Sequence, residues 1–232
     1  MLNRLLDLIY PENLYCLCCG DTIESSRVHG ICDVCAEKIK WELDDPFKTS
    51  RGDYAFDEVI SCCRYGFFAR KIMNGLKESG KPYMAMGPGK LMAERVKLHG
   101  GSFSALVPVP MHKEKLAKRG FNQSLLLARA AASELGLPVW EALLKTEKTA
   151  SMRGSDGAAR RVMLRNAFIL AEGYEEKLHG KKVLLVDDVC TTGSTADACS
   201  AVLRSAGASV SLLCFASAAS EGVRDPTAFD RI

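Results

Sequence analysis

Thirteen residues, Val183 to Thr195, reading VLLVDDVCTTGST, constrain this chain more than any other stretch. Val183, Leu184, Leu185 and Val186 form an unbroken apolar run, the pattern of a strand buried on both faces of a parallel sheet. Asp187 and Asp188 stand where that strand should end. Thr191, Thr192, Gly193, Ser194 and Thr195 then make a hydroxyl-rich turn leading into a helical pattern. Backbone N–H groups and hydroxyls at a helix N-terminus form a ready anion site, and Gly193 permits a backbone approach that a side chain would obstruct. Paired carboxylates beside such a cradle can accept hydrogen bonds from sugar hydroxyls or act through Mg²⁺ and its waters. A capped helix after a buried strand accounts for the apolar run. It does not account for two adjacent like charges, which need compensation.

Ten cysteines are many for 232 residues, and five fall between Cys16 and Cys35, which points to metal rather than to a disulfide framework. Cys16-Leu17-Cys18-Cys19 and Cys32-Asp33-Val34-Cys35 each hold a C-x-x-C pair. The two-residue gap turns both sulfurs of a pair toward one ion, and two pairs complete a tetrahedral Cys₄ zinc site. The expected ligands are Cys16, Cys19, Cys32 and Cys35, with Cys18 spare, because adjacent cysteines rarely share one small site. Four thiolates leave no open position, so the expected role is structural.

The remaining composition sets bounds. A hydrophobic fraction of 47% with 25% charged residues is that of a globular protein with a sizeable core. The net charge of +3 does not by itself announce a nucleic-acid binder. No apolar run is long enough for a membrane span, and Leu2, Leu5, Leu6 and Ile9 fit a short amphipathic helix better than a signal peptide. A cytoplasmic location is expected.

Further strands are expected over Glu58–Gly66, Ala105–Val109, Asn166–Leu170 and Val210–Phe215, separated by helical stretches, an α/β pattern. Gly75 to Pro82, GLKESGKP, approaches a phosphate-binding P-loop but puts Pro82 where a metal-binding hydroxyl belongs. After Pro110, MHKEKLAKRGFNQS reads as a basic loop with Lys113, Lys115, Lys118 and Arg119. It leads into a helix whose expected core stripe is Phe121, Leu125, Ala128, Ala132 and Leu135. Lys145 to Arg165 is basic and without a clean period, a candidate lid or an ordinary exposed loop. Cys190, Cys199 and Cys214 share no spacing logic and are expected to be packing thiols, although Cys190 lies close enough to the hydroxyl turn to be reactive. The expected organisation is an N-terminal helix and zinc module over 1–45, a linker over 46–57 and the main domain over 58–232.

Two resemblances sharpen this reading. The apolar run, acidic pair and T-T-G-x-T turn resemble the 5-phosphoribosyl-1-pyrophosphate signature of type I phosphoribosyltransferases. With the cysteine pairs and VPVPMHKEKLAKRGFNQS from Val107 to Ser124, the whole chain resembles the ComF family of competence-related proteins. That resemblance implies a type I phosphoribosyltransferase-like parallel sheet flanked by helices, with a small N-terminal Cys₄ zinc ribbon. It implies that Asp187 and Asp188 serve the ribose hydroxyls, directly or around Mg²⁺, and that Thr191 to Thr195 wrap the 5-phosphate. The loop after Pro110, with Lys113 and Arg119, would face pyrophosphate or DNA. It implies two partners, single-stranded DNA and an ATP-driven DNA translocase, in DNA uptake or use of external DNA. An active phosphoribosyltransferase in nucleotide salvage or synthesis is the alternative. One segment departs from the family pattern: Met152 and Met163 stand where Gln and Asn are usual.

Overall fold

The computed structural model describes residues 14–24, 26–27, 29–42, 47–48, 54–78, 82–146 and 167–218. The expected N-terminal helix, Met152, Met163 and nearly all of the basic 145–165 segment lie outside them.

Seven strands and seven helices follow in chain order among these residues, with a single 3₁₀ turn at Pro82–Ala85. The first half contains α1 (Asp33–Lys38), β1 (Phe47–Lys48), β2 (Glu58–Arg64), α2 (Phe67–Glu78), α3 (Met86–His99), β3 (Ala105–Pro108) and α4 (Lys113–Arg119). The second contains α5 (Gln123–Leu135), β4 (Leu143–Lys145), β5 (Phe168–Leu170), α6 (Glu175–Leu178), β6 (Lys182–Cys190), α7 (Ser194–Ser205) and β7 (Ser209–Ser217).

Five strands make one sheet in the order β1-β2-β7-β6-β3, parallel except for β1. The central strands carry apolar runs, Val183–Val186 in β6 and Leu212–Ala216 in β7, because both sheet faces are covered. Alternate residues of β6 serve opposite faces. Leu184 and Val186 join Ile60, Leu106, Leu213 and Phe215 under α2, α3 and α5, whereas Val183 and Leu185 join Val107, Val210, Leu212 and Leu203 under α7. The β4–β5 ribbon adds Leu143 and Phe168 to the second face. At the far end of the sheet Glu58 is buried, accepting from Ser211 Oγ at 2.7 Å and facing Lys182 and His99. Burial works to raise its pKa, and those three partners more than offset this and hold it below the ordinary value.

Helices α3 and α5 cross at a glycine. A Cβ on Gly89 would collide with Ala130 Cβ, so only glycine lets these backbones approach so closely. That contact orients α5 with Leu127, Ala128 and Ala131 fully buried and Leu125 only partly so. The apolar LLLARAAA face is wide enough to fit either orientation, which is why periodicity places Leu125 in the stripe.

The segment between the cysteine pairs and β2 is fastened to the body at several points. Arg64 N donates to Lys40 O and Glu42 N to Cys62 O, and Trp41 Nε1 donates to Ala36 O. Phe47 and Lys48 pair with Val59 and Glu58, and Phe56 is buried on the second face. The cysteine module shares the first-face core: Cys16, Cys18, Ile31, Cys35 and Ile39 belong to the same apolar cluster as Ile60, Ile72 and Met73.

Candidate phosphoribosyl and metal sites

The acidic pair sits inside β6, which continues to Cys190 instead of ending at Val186. The reason is unequal strand length. β7 pairs with β6 as far as Cys190–Ser217, whereas β3 stops at Pro108 opposite Val186, and Val109 N donates to Val186 O. Asp187 to Cys190 therefore overhang β3, and the N-terminus of α5 occupies the space beside them. Asn122 organises that end: its Oδ1 accepts from Ser124 N at 3.1 Å and its Nδ2 donates to Val109 O at 3.0 Å. Ser124 Oγ is thereby held to donate to Asp187 Oδ1 at 3.1 Å, and the same oxygen accepts from Asp188 N at 2.9 Å.

Two carboxylates here face limited compensation. Lys77, near the C-terminus of α2, forms an ion pair with Asp188. Asp187 is raised from 3.8 to about 7, first by burial and then by the charge of Asp188, with Ser124, Asp188 N and Lys77 pulling the other way. A second ammonium approaches from β4. Lys145 lies over the Phe168 ring at 5.3 Å; burial and the neighbouring Lys115 lower its pKa while Cys199 and Asp187 oppose the shift. Sequence reasoning gives this role to neither Lys77 nor Lys145.

The hydroxyl turn forms as expected. Gly193 is the N-cap of α7 with φ of 71°, a backbone conformation that favours glycine. Thr192 Oγ1 lies 2.9 Å from Ser194 Oγ and accepts from Ser194 N at 3.4 Å, while Thr191 and Thr192 are exposed. Two aromatics brace the turn from behind. Tyr54 Oη donates to Thr192 O at 3.3 Å and stacks on Phe56 at 4.8 Å, and Ala55 N donates to Asp197 Oδ1 in the first turn of α7. The same Tyr54 ring lies 3.1 Å from where a Cβ of Gly193 would be.

Lys113 and Arg119 occupy the two ends of a helix rather than a loop. His112 caps α4, its Nδ1 accepting from Glu114 N, and Gly120 closes it at φ of 86°. KEKLAKR carries strong helix formers but no apolar face, so hydrophobic periodicity gives it no signal. Cys190 is a packing thiol, as expected, and its place beside the turn does not make it reactive. Its thiol is buried and pushed up to about 12, by burial first and then by Asp187, which suppresses the nucleophilic thiolate.

The four chosen cysteines converge. The Sγ atoms of Cys16, Cys19, Cys32 and Cys35 all lie within 4.8 Å of one another, a set able to chelate a metal ion. Gly20, with φ of 84°, makes the knuckle turn: Gly20 N donates to Cys16 O and Cys16 N to Asp21 O. Backbone N–H groups of Cys18 and Cys32 donate to Cys16 Sγ at 3.4 Å each. Burial raises that thiol, but these donors together with the backbone and side chain of Cys19 more than offset it and bring Cys16 to about 6, which favours the thiolate. The intervening cysteine, Cys18, points into the core and is 3% exposed.

An acidic pair at the carboxyl end of a parallel strand, followed by a hydroxyl turn, defines a phosphoribosyltransferase-like domain. The model of the phosphoribosyl transferase domain matches residues 122–230. Among individual proteins, the DNA utilization protein YhgH of Escherichia coli K12 is 37% identical over 168 residues, 68% of this chain and 71% of that protein. Competence protein F of Haemophilus influenzae is 39% identical over 104 residues, 44% of this chain; the match spans just under half of that protein, 45%. Competence protein ComFC of Bacillus subtilis is 23% identical over 209 residues, 83% of this chain and 78% of that protein. The chain belongs to the ComF family of competence-related proteins, with a phosphoribosyltransferase domain and an N-terminal cysteine cluster able to hold a metal ion.

Proposed function

We propose that this protein binds phosphoribosyl pyrophosphate, or a related ribose phosphate, and uses that site while handling single-stranded DNA in uptake or use of external DNA. The observation that carries the reading is the acidic pair held by Ser124 and Lys77 beside a hydroxyl turn at the N-terminus of α7. In this reading Asp187 and Asp188 accept from ribose hydroxyls, and Thr191, Thr192, Gly193, Ser194 and Thr195 receive the 5-phosphate. Lys77, Lys145 and the α4 cations Lys113 and Arg119 offer positive charge for the pyrophosphate end.

The donor set fits Mg²⁺. Two carboxylates with a single ion-paired lysine among the described residues keep a negative surplus, and the raised proton affinity of Asp187 reflects it. Mg²⁺ bound with phosphoribosyl pyrophosphate would neutralise phosphate charge there. The cysteine set fits Zn²⁺ by its four sulfurs and spacing, in a structural role. The names of the relatives support the DNA association. The reading carries with it a cytoplasmic setting and an ATP-driven DNA translocase as partner; no described helix is long and apolar enough to cross a membrane.

Calorimetry tests the central claim. The wild type should release heat on binding phosphoribosyl pyrophosphate with Mg²⁺, and the Asp187→Asn/Asp188→Asn double variant should not. Equal binding by both, or none by the wild type, refutes the site. Turnover as a phosphoribosyltransferase is a second reading, favoured by the match of residues 122–230 to the phosphoribosyl transferase domain. Mg²⁺-dependent pyrophosphate release with a nucleobase or amine acceptor, lost in Asp188→Asn, is its signature.

A further inference from the structure

Helix α2 buries one side and leaves the other to solvent. Ala69, Ile72, Met73 and Leu76 are buried, whereas Phe67, Arg70, Lys71 and Asn74 are exposed at the i, i+3, i+4, i+7 spacing of a single helix face. Phe67, the first residue of the helix, is 66% exposed. It stands edge-to-face with Phe68 at 5.3 Å, and Lys38 of α1 lies 5.9 Å from the Phe68 ring centroid. Lys40 is exposed beside them, its carbonyl accepting from Arg64 N just before the helix. From Val59 through Lys77 the chain carries Arg64, Arg70, Lys71 and Lys77 and no Asp or Glu. In a protein of net charge +3, this is a run of cations around an exposed aromatic step, with Glu37 the exposed carboxylate beside Lys38 and Asp33 already paired with Arg27.

We infer that the face formed by Phe67, Arg70 and Lys71, flanked by Lys38 and Lys40, is the surface on which single-stranded DNA lies, with a base stacked on Phe67. The proposal rests on the DNA-handling reading above and deepens it by naming the surface. An aromatic ring offers every base a stacking partner without sequence preference, and adjacent cations track the phosphates. Duplex bases are stacked inside and give Phe67 no face, so the partner is single-stranded. Position supports the same choice. Helix α2 starts at this patch and ends at Lys77 on Asp188, so the strand surface and the ribose-phosphate site lie roughly 15 Å apart along one rigid element.

The test is fluorescence anisotropy of a labelled oligothymidylate with the full chain, over a range of salt, paired with phosphoribosyl pyrophosphate calorimetry on each variant. Phe67→Ala and Phe67→Leu should weaken DNA binding about 5- to 150-fold, and Phe67→Tyr should restore it. Arg70→Ala/Lys71→Ala should flatten the log–log salt slope by roughly 1.4, about 0.7 for each phosphate no longer neutralised. Phosphoribosyl pyrophosphate heats should not change. If the wild type binds the oligonucleotide and the Phe67 variants bind it as tightly, the patch proposal is overturned while the DNA reading stands. If the wild type does not bind at low salt, the DNA reading itself falls and the patch with it. Equal loss of DNA and phosphoribosyl pyrophosphate binding in Phe67→Ala also overturns it, since α2 as a whole has then moved.

Discussion

Replacing Asp187 by asparagine should stabilise the ligand-free protein, by an amount that grows as pH rises above about 4 and is greatest above neutrality. The side chain keeps its shape, so Oδ1 still accepts from Ser124 Oγ and Asp188 N, while the charge beside Asp188 disappears. The folded pKa of Asp187 is raised from 3.8 to about 7. Below the unfolded value both states of the wild type hold the proton, and the carboxyl costs the fold nothing. As pH rises from about 4 toward 7, the unfolded chain releases its proton first, and the wild type loses stability at up to about 1.4 kcal/mol per pH unit. Above 7 the loss levels off at an upper bound of roughly 4 kcal/mol, reduced to about 2 if water and side chains relax around the charge. The amide of the Asp187→Asn variant has no proton to release and escapes this slope. Urea unfolding followed by fluorescence, from pH 5 to 8.5 without Mg²⁺ or phosphates, measures both curves. The gap between variant and wild type should open with pH and saturate above neutrality. A gap that is constant across the range, or a variant less stable at pH 8 than the wild type, would falsify the reasoning.

Three further perturbations have defined outcomes. Removing metal with a strong chelator, or Cys19→Ser, should lower the melting temperature of the entire protein in one transition, because Cys16, Cys18 and Cys35 share a core with Ile60 and Ile72; calorimetry showing an unchanged main transition would contradict this. Gly89→Ala should cost about 1–3 kcal/mol in denaturant unfolding, since its methyl meets Ala130 and must push α3 off α5, whereas Gly136→Ala, with open space around it, should report only backbone strain. Lys77→Met should raise the Asp187 pKa further by removing the cation paired with Asp188, visible by carboxyl-selective NMR titration, and a downward shift would refute the assigned charge balance.

What can be read from the chain is what lies close together in it. The strand, acidic pair and hydroxyl turn are contiguous, and the two cysteine pairs declare a metal site by spacing alone. What cannot be read depends on tertiary approach. Lys77 reaches Asp188 from a helix whose end has the look only of a failed P-loop, and Tyr54 braces Gly193 from a stretch too polar and aperiodic to suggest buried aromatics. The length of β6 escapes the sequence because acidic residues look like a strand terminus. Here β7 is long enough to carry them onward, and nothing in the local sequence states how far a neighbouring strand extends. Helix α4 escapes it for the opposite reason: its determinants are a cap at His112 and a stop at Gly120, not an apolar face.

Cys18 has a consequence beyond the knuckle that contains it. It sits between two cysteines of the cluster and is itself a piece of the body's interior, so the coordination of any ion held there and the packing of α2 are decided by the same few atoms. A cell short of that metal, or under oxidants that take the thiolates, would therefore not accumulate an intact body with a damaged appendage. It would lose the protein to proteolysis altogether, and the protein's abundance would track metal supply.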